Sequence, residues 1–132
     1  NGYDYMSELH GSPHQCKLIA EINTPFQPDL VVLDGVDAFV DGGPATGKRV
    51  AGNLFLAADD RVAIDAVGVA VLKNLGSNHR IMNTPIFDQE QIARAVELKL
   101  GVSSPSEIEL LAADDKSYGL TEEIRTVLLG SL

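Results

Sequence analysis

Residues 28–76 read PDLVVLDGVDAFVDGGPATGKRVAGNLFLAADDRVAIDAVGVAVLKNLG, and this stretch decides the fold. β-branched and apolar residues dominate positions 30–40, which predicts a buried strand. The pair Asp34-Gly35 interrupts that strand and indicates a bulge or a bend. Positions 41–49 then contain three glycines and one proline, so they predict a loop.

The second half of the stretch predicts another strand and a long helix. The strand is NLFLAA, residues 53–58, and either Asp59 or Asp60 caps the helix that follows it. Gly76 ends this helix as the residue just beyond its C-terminus. The helix is apolar on all sides except at Asp65, which predicts burial against the sheet and another helix.

The flanking segments carry signals for three more helices and one more strand. Gln91 is placed as the capping-box partner of a helix that begins after Asp88. Before the central stretch, we predict a loop over residues 1–12 and a helix from Ser12-Pro13 to just before Pro25. After it, we predict a helix from Asp88 to Gly101, a half-buried alternating strand over residues 107–112, and a short helix capped by Thr121. The order α-β-β-α-α-β-α predicts an α/β fold with a small mixed sheet of about three strands covered by helices. So small a sheet predicts a part of a larger domain, or a dimer.

The length and composition of the chain limit the class of protein to which it can belong. The 132 residues suit one domain, and 45% apolar residues suffice for a core. Ten basic against nineteen acidic residues give a net charge of −9, which argues against nucleic acid and anionic membranes as partners. No apolar run reaches eighteen residues and no leader pattern opens the chain, so we expect a cytoplasmic protein. The first residue is Asn rather than Met, from which we expect an excerpt of a longer protein or a processed product.

The single cysteine limits metal and cofactor chemistry. One thiol excludes a disulfide framework, a Cys-rich zinc site and a self-contained iron–sulfur cluster. His10, His14 and Cys16 cluster within seven residues, but no second cluster supplies the remaining ligands of a tetrahedral site. We therefore expect exposed histidines and a half-buried cysteine, and no metal or other cofactor within this chain.

The spacing Gly42-x4-Gly47-Lys48 matches the first part of a nucleotide-binding P-loop. A P-loop also needs a Ser or Thr after the Lys to hold Mg²⁺, and a helix that begins there. Here Arg49 follows and a strand comes next. We therefore expect a flexible or ligand-covering glycine loop and reject a nucleotide site.

Aspartates surround the predicted strand ends and the start of the long helix. They are Asp34, Asp37, Asp41, Asp59, Asp60 and Asp65. Neighbouring strand ends bring such groups together, and clustered carboxylates suit a hard divalent cation. Asp65 stands out because an unpaired carboxylate on an apolar helix face is costly to bury. We favour a structural Asp65 that pairs with Arg61 one turn earlier, and keep a site role as the alternative.

These residues resemble the C-terminal half of the domain-of-unknown-function family 362. That family has a strand ending in Asp, a Gly-Pro-x-x-Gly loop, and a strand leading into an Asp-x-Val-Ala-x-Asp-Ala helix. The matching positions are Asp34, then Gly43, Pro44 and Gly47, then Asp60, Val62, Ala63, Asp65 and Ala66. The resemblance covers roughly residues 17–112, and it departs at Arg61, where the family often has Pro.

The resemblance implies an association with redox proteins. Family members are often fused to ferredoxin-type modules that hold [4Fe–4S] clusters. Since the Cys-x2-Cys-x2-Cys run is absent here, a cluster would sit on a separate segment of the parent protein or on another chain. The expected partners are the missing N-terminal half of the domain, a ferredoxin-type module or a second copy in a homodimer.

Three functional hypotheses follow. The first is a domain of redox-associated iron–sulfur proteins that binds a ligand at the glycine loop and the start of the long helix. Its expected ligand-binding residues are Asp34, Gly43, Pro44, Gly47, Asp60 and Asp65. The second is a non-catalytic binding or assembly module whose carboxylates are structural. The third, a nucleotide hydrolase, rests only on the partial P-loop match.

Overall fold

The computed structural model describes residues 4–43 and 45–130, which form a two-stranded sheet and six α-helices. In chain order the elements are α1 (Tyr5–Gly11), α2 (Gln15–Ile22), β1 (Val31–Gly42), β2 (Gly47–Ala58), α3 (Arg61–Asn74), α4 (His79–Asn83), α5 (Glu90–Glu97) and α6 (Tyr118–Leu129). Two short 3-10 turns, Ile86–Asp88 and Pro105–Glu107, precede α5 and α6. The prediction of an α/β chain is confirmed, but in the described residues the sheet is antiparallel and not mixed.

Strands β1 and β2 form an antiparallel hairpin, and each is longer than predicted. The predicted loop over residues 41–49 shrinks to a tight turn, in which the Gly43 amide donates to the Thr46 carbonyl at 2.6 Å. The register shifts between Gly35 and Asp37, where the sequence predicts a break. One residue of β1, Val36, faces two of β2 there, Gly52 and Asn53, and Asn53 adopts a positive φ of 52°. The irregularity was placed correctly along β1, but the extra residue belongs to β2.

The predicted third strand over residues 107–112 is wrong. Within the described part of the chain, the sheet consists of β1 and β2 alone. Ile108 and Leu110 are half-buried against the helical core, as their alternation predicts. The carbonyl of Leu110, however, accepts a hydrogen bond from the Arg125 guanidinium of α6 instead of from a neighbouring strand. The alternation of apolar and polar residues correctly predicted which side chains are buried, but it did not predict that they are buried by helices.

The long helix α3 occupies the centre of the fold, as its apolar sequence predicts. Its buried residues are Val62, Ala63, Ile64, Ala66, Val67, Ala70 and Val71. The hairpin packs on one side of α3, and α5 and α6 pack on others. Among the described residues, no helix has both the length and the apolar character required to cross a membrane.

Several helix boundaries differ from the prediction. Residues 5–11 form α1 instead of loop, because the Asp4 carboxylate accepts the Ser7 amide at 3.0 Å and caps the helix. Helix α2 begins at Gln15, three residues after Ser12. Local cap signals thus indicated the right regions, while the exact starts depend on tertiary packing.

The two C-terminal helices also begin elsewhere than predicted. Helix α5 follows Gln89 instead of Asp88, since Asp88 closes the preceding 3-10 turn. Helix α6 follows Ser117 and is longer than the helix predicted from Thr121. Helix α4, capped by Asn78, was not predicted.

Candidate functional site

A cleft of about 620 Å³ lies between β1, α3 and the segment from α4 to α5. Strand β1 lines it with residues from Leu33 to Phe39, and α3 lines it with Asp65 and the side-chain-free Gly68. Residues 89–92 form the opposite wall. Ligand clefts in proteins have this size and combine apolar walls with a few polar groups.

Asp65 is the polar group on the α3 wall of this cleft. Its Oδ2 accepts a hydrogen bond from the Gln91 side-chain amide at 3.1 Å. Across residues 4–43 and 45–130, its Oδ1 makes no hydrogen bond and the carboxylate forms no ion pair. Burial raises the pKa of Asp65 above its usual value, and the hydrogen bond from Gln91 opposes that rise in part. Asp65 thus retains an acceptor oxygen at a partly desolvated position.

The predicted pairing of Asp65 with Arg61 is wrong. The Arg61 guanidinium instead donates to main-chain carbonyls, at 3.1 Å to Leu100 and at 2.6 Å to both Asn23 and Phe26. These carbonyls lie in the segments that follow α2 and α5, and the Asn23 carbonyl also accepts the Phe26 amide at 3.1 Å. Arg61 therefore ties together three segments of the chain, and Asp65 is left without a cation.

Asp60 has a structural role and lies away from the main cleft. Its Oδ1 accepts the amides of Val62 and Ala63 at 2.7 and 2.8 Å, which identifies Asp60, not Asp59, as the α3 cap. Its Oδ2 accepts the amide of Val102 at 2.8 Å. Both oxygens are therefore occupied by the backbone.

Asp34 borders the same cleft as Asp65. It is exposed on β1, and its Oδ1 accepts the Val36 amide at 3.0 Å where the register shifts. Asp37 also lines the cleft and lies 3.6 Å from the Arg49 guanidinium. Asp34 and Asp37 of β1 thus border the same cleft as Asp65 of α3, and Asp60 does not. The predicted meeting of strand and helix aspartates at one cation site stays a prediction.

The glycine loop is a hairpin turn and does not line the cleft. Gly42, Gly43 and Gly47 all have positive φ, which the turn requires. Pro44, the remaining predicted loop residue, lies outside the described residues. An antiparallel strand follows Lys48, so the helix N-terminus that a P-loop needs is not formed there.

Two cleft residues were missed as site residues by the sequence analysis. Gln91 was predicted to complete a cap, yet it reaches Asp65 across 26 positions of the chain. A Cβ added at Gly68 would lie 3.2 Å from Leu33 Cδ1, so this glycine lets β1 approach α3 closely. No local pattern could have indicated either role, because both depend on how distant segments pack.

The donors do not fit an iron–sulfur cluster. Cys16 is the only thiol; it is half-buried and borders the cleft. In the part of the chain that the structure describes, no three His, Cys, Asp or Glu side chains group as metal ligands. His10, for example, lies 3.0 Å from the Gln15 side chain through its Nδ1.

A known protein family matches part of this chain. Residues 3–70 match the family described as Domain of unknown function (DUF362). The match spans just over half of the chain, begins and ends earlier than the predicted resemblance over 17–112, and includes the hairpin and most of α3. No curated protein and no solved structure matches the chain. The chain belongs to the DUF362 family.

Proposed function

We propose that this DUF362 chain is a ligand-binding module whose ligand lies in the cleft beside β1 and presents a cationic group to Asp65. The observation that carries this proposal is the uncommitted Oδ1 of Asp65 in a cleft with largely apolar walls. The ligand site of the first hypothesis is thereby moved from the glycine loop to the middle of α3. Asp34 and Asp65 remain in it, and Asp60 does not.

Electrostatics favour a cation over an anion or a neutral ligand. A carboxylate whose ionised form is disfavoured by burial gains most from an opposite charge that enters with the ligand. The rim adds Asp34, Asp37 and Glu90. Among the described residues, Arg80 pairs with Glu90 at 3.4 Å and Arg49 lies 3.6 Å from Asp37, whereas Asp34 and Asp65 form no ion pair. The net charge of −9 attracts cations over longer distances.

An assembly module is the second candidate, and one surface favours it. The hairpin face turned away from α3 exposes 61% of Val32 and 66% of Phe55, with Leu30 nearby in the chain at 64%. Apolar residues gathered on one exposed face mark interaction surfaces more often than scattered ones do. Another domain of the parent protein, or a second copy, would cover this face.

Two proposals concern the parent protein: one follows from the family resemblance, and the other is the cytoplasmic location expected from the sequence. A [4Fe–4S] cluster, if the parent carries one, is held by cysteines outside these residues, on a ferredoxin-type module that pairs with this domain. The protein works in the cytoplasm. Cysteine-rich sequence directly adjoining the chain in its parent supports the first proposal, and its absence contradicts it.

Amide NMR of the labelled chain tests the ligand site. We expect 2-phenylethylammonium to shift amide signals of residues 33–39, 65 and 91, because its ammonium reaches Asp65 and its ring contacts the apolar walls. Asp65→Asn abolishes these shifts, whereas Asp115→Asn, a change in an exposed and distant loop, preserves them. Equal shifts with neutral 2-phenylethanol, or shifts confined to other surfaces, contradict the proposal.

A further inference from the structure

Strand β1 has a free edge, and only its end is covered. The Val40 carbonyl on this edge accepts the Asn78 amide at 2.9 Å and the Ser77 hydroxyl at 2.7 Å. From Leu33 to Phe39, the only hydrogen bonds of the β1 backbone in the described chain are those with β2 and the one from the Val36 amide to Asp34 Oδ1. Alternate residues of an edge strand direct their N–H and C=O groups outward, ready to pair with another strand.

The cleft runs along this free edge. Six of the seven residues from Leu33 to Phe39 line it, with Val36 excepted. Successive strand residues point to opposite faces, so a cavity that touches nearly all of them lies beside the strand and not above one face. Strand β2 contributes only Leu54, whose Cδ1 fills the place where a Cβ of Gly35 would be, at 2.6 Å.

We propose, building on the ligand cleft above, that its occupant is an extended polypeptide segment that adds a strand to the free edge of β1 and directs a lysine or arginine to Asp65. Main-chain hydrogen bonds then provide affinity, and the basic side chain provides specificity. Seven residues of β1 offer an edge about 23 Å long at roughly 3.3 Å per residue. Helix α3 lies beneath the added strand, and Gly68 lets β1 approach α3 closely.

The acidic residues of β1 favour a basic segment over a second copy of β1 as the added strand. Pairing two β1 edges would bring Asp34 and Asp37 of one chain next to the same aspartates of the other, and like charges on adjacent strands destabilise a sheet. A segment with a lysine or arginine instead meets acidic groups on the strand, on α3 and on α5. The bound strand would complete the three-stranded sheet that the hairpin alone does not form.

Peptide binding distinguishes this proposal from the simpler ligand site. The probe is an acetylated, amidated peptide of seven residues, alternating valine and threonine around a central lysine. We expect it to bind at least about tenfold more tightly than 2-phenylethylammonium, because backbone pairing adds to the ion pair. It should also slow amide hydrogen exchange between Leu33 and Phe39.

Two matched controls isolate the contributions of backbone and charge. The same peptide with alternate backbone amides N-methylated loses the exchange protection, and the peptide with norleucine in place of lysine binds wild type and Asp65→Asn equally. If 2-phenylethylammonium binds at Asp65 and the peptide binds no better and protects no β1 amide, the strand proposal is overturned and the ligand site stands. If neither probe reaches Asp65, both are overturned.

Discussion

Removing the Asp60 side chain should measurably destabilise the fold. Asp60→Ala leaves the Val62 and Ala63 amides at the start of α3 without their side-chain acceptor, a loss that costs about 1 kcal/mol for a helix cap. It also leaves the Val102 amide, which is partly buried, without its partner, at about 1–2 kcal/mol. Because the two losses are in separate segments, we expect a combined decrease of about 2–3 kcal/mol in the free energy of unfolding.

Urea unfolding followed by far-UV circular dichroism measures this loss. A chain of this size should also melt about 6–12 °C lower by calorimetry. Asp60→Asn keeps one acceptor oxygen for the cap and should lose less than half as much. Asp59→Ala is the matched control, since Asp59 is exposed and makes no hydrogen bond in the described structure, and it should change stability by no more than about 0.5 kcal/mol. Equal losses from Asp59→Ala and Asp60→Ala would refute the assignment of Asp60 as the cap.

Three further outcomes follow from the site. Asp65→Asn should stabilise the chain at pH 7 but not below the usual carboxyl pKa of 3.8. Burial raises the pKa of Asp65 in the folded chain, so the protonated side chain contributes its full stability in acid. That contribution falls as the pH rises through the folded pKa of Asp65. Urea unfolding that shows no gain at pH 7 contradicts this. Arg61→Lys should lose about 2 kcal/mol in the same assay, because an ammonium cannot bind three separated carbonyls, and an unchanged midpoint contradicts it. Lys48→Ala should leave any calorimetric ATP signal unchanged, and a micromolar affinity that the variant loses would restore the P-loop hypothesis.

Local signals predicted the centre of this fold. The start of α3 is specified by a cap whose acceptor and donors lie within three residues, so the sequence narrowed the cap to Asp59 or Asp60. The hairpin is specified by two apolar segments around a glycine-rich turn, also a local feature. The predicted strand over residues 107–112 does not form. Alternation of apolar and polar residues indicates only which side chains are buried, whereas a strand also needs the edge of a neighbouring strand to pair with. Here Arg125 takes the carbonyl that such an edge would bind.

The candidate site could be predicted only in part. The i, i+4 spacing predicted an ion pair between Arg61 and Asp65, but main-chain carbonyls from distant segments bind the Arg61 guanidinium instead. A guanidinium has five N–H groups, and that of Arg61 donates to three carbonyls in the segments that follow α2 and α5. Gln91 then becomes the partner of Asp65 through the packing of α5, which no nearby residue pattern encodes.

Asp60 and Asp65 lie five positions apart on one helix, yet their environments give them different tasks. Both carboxylate oxygens of Asp60 accept backbone amides, and these hydrogen bonds stabilise the native chain. Asp65 accepts one hydrogen bond, and burial disfavours its ionised form. An apolar or amide side chain would suit the isolated helix better, and such departures from local consistency concentrate at functional sites. A bound cation would reverse the sign of the contribution that Asp65 makes to stability, so binding and folding would be coupled through this one carboxylate.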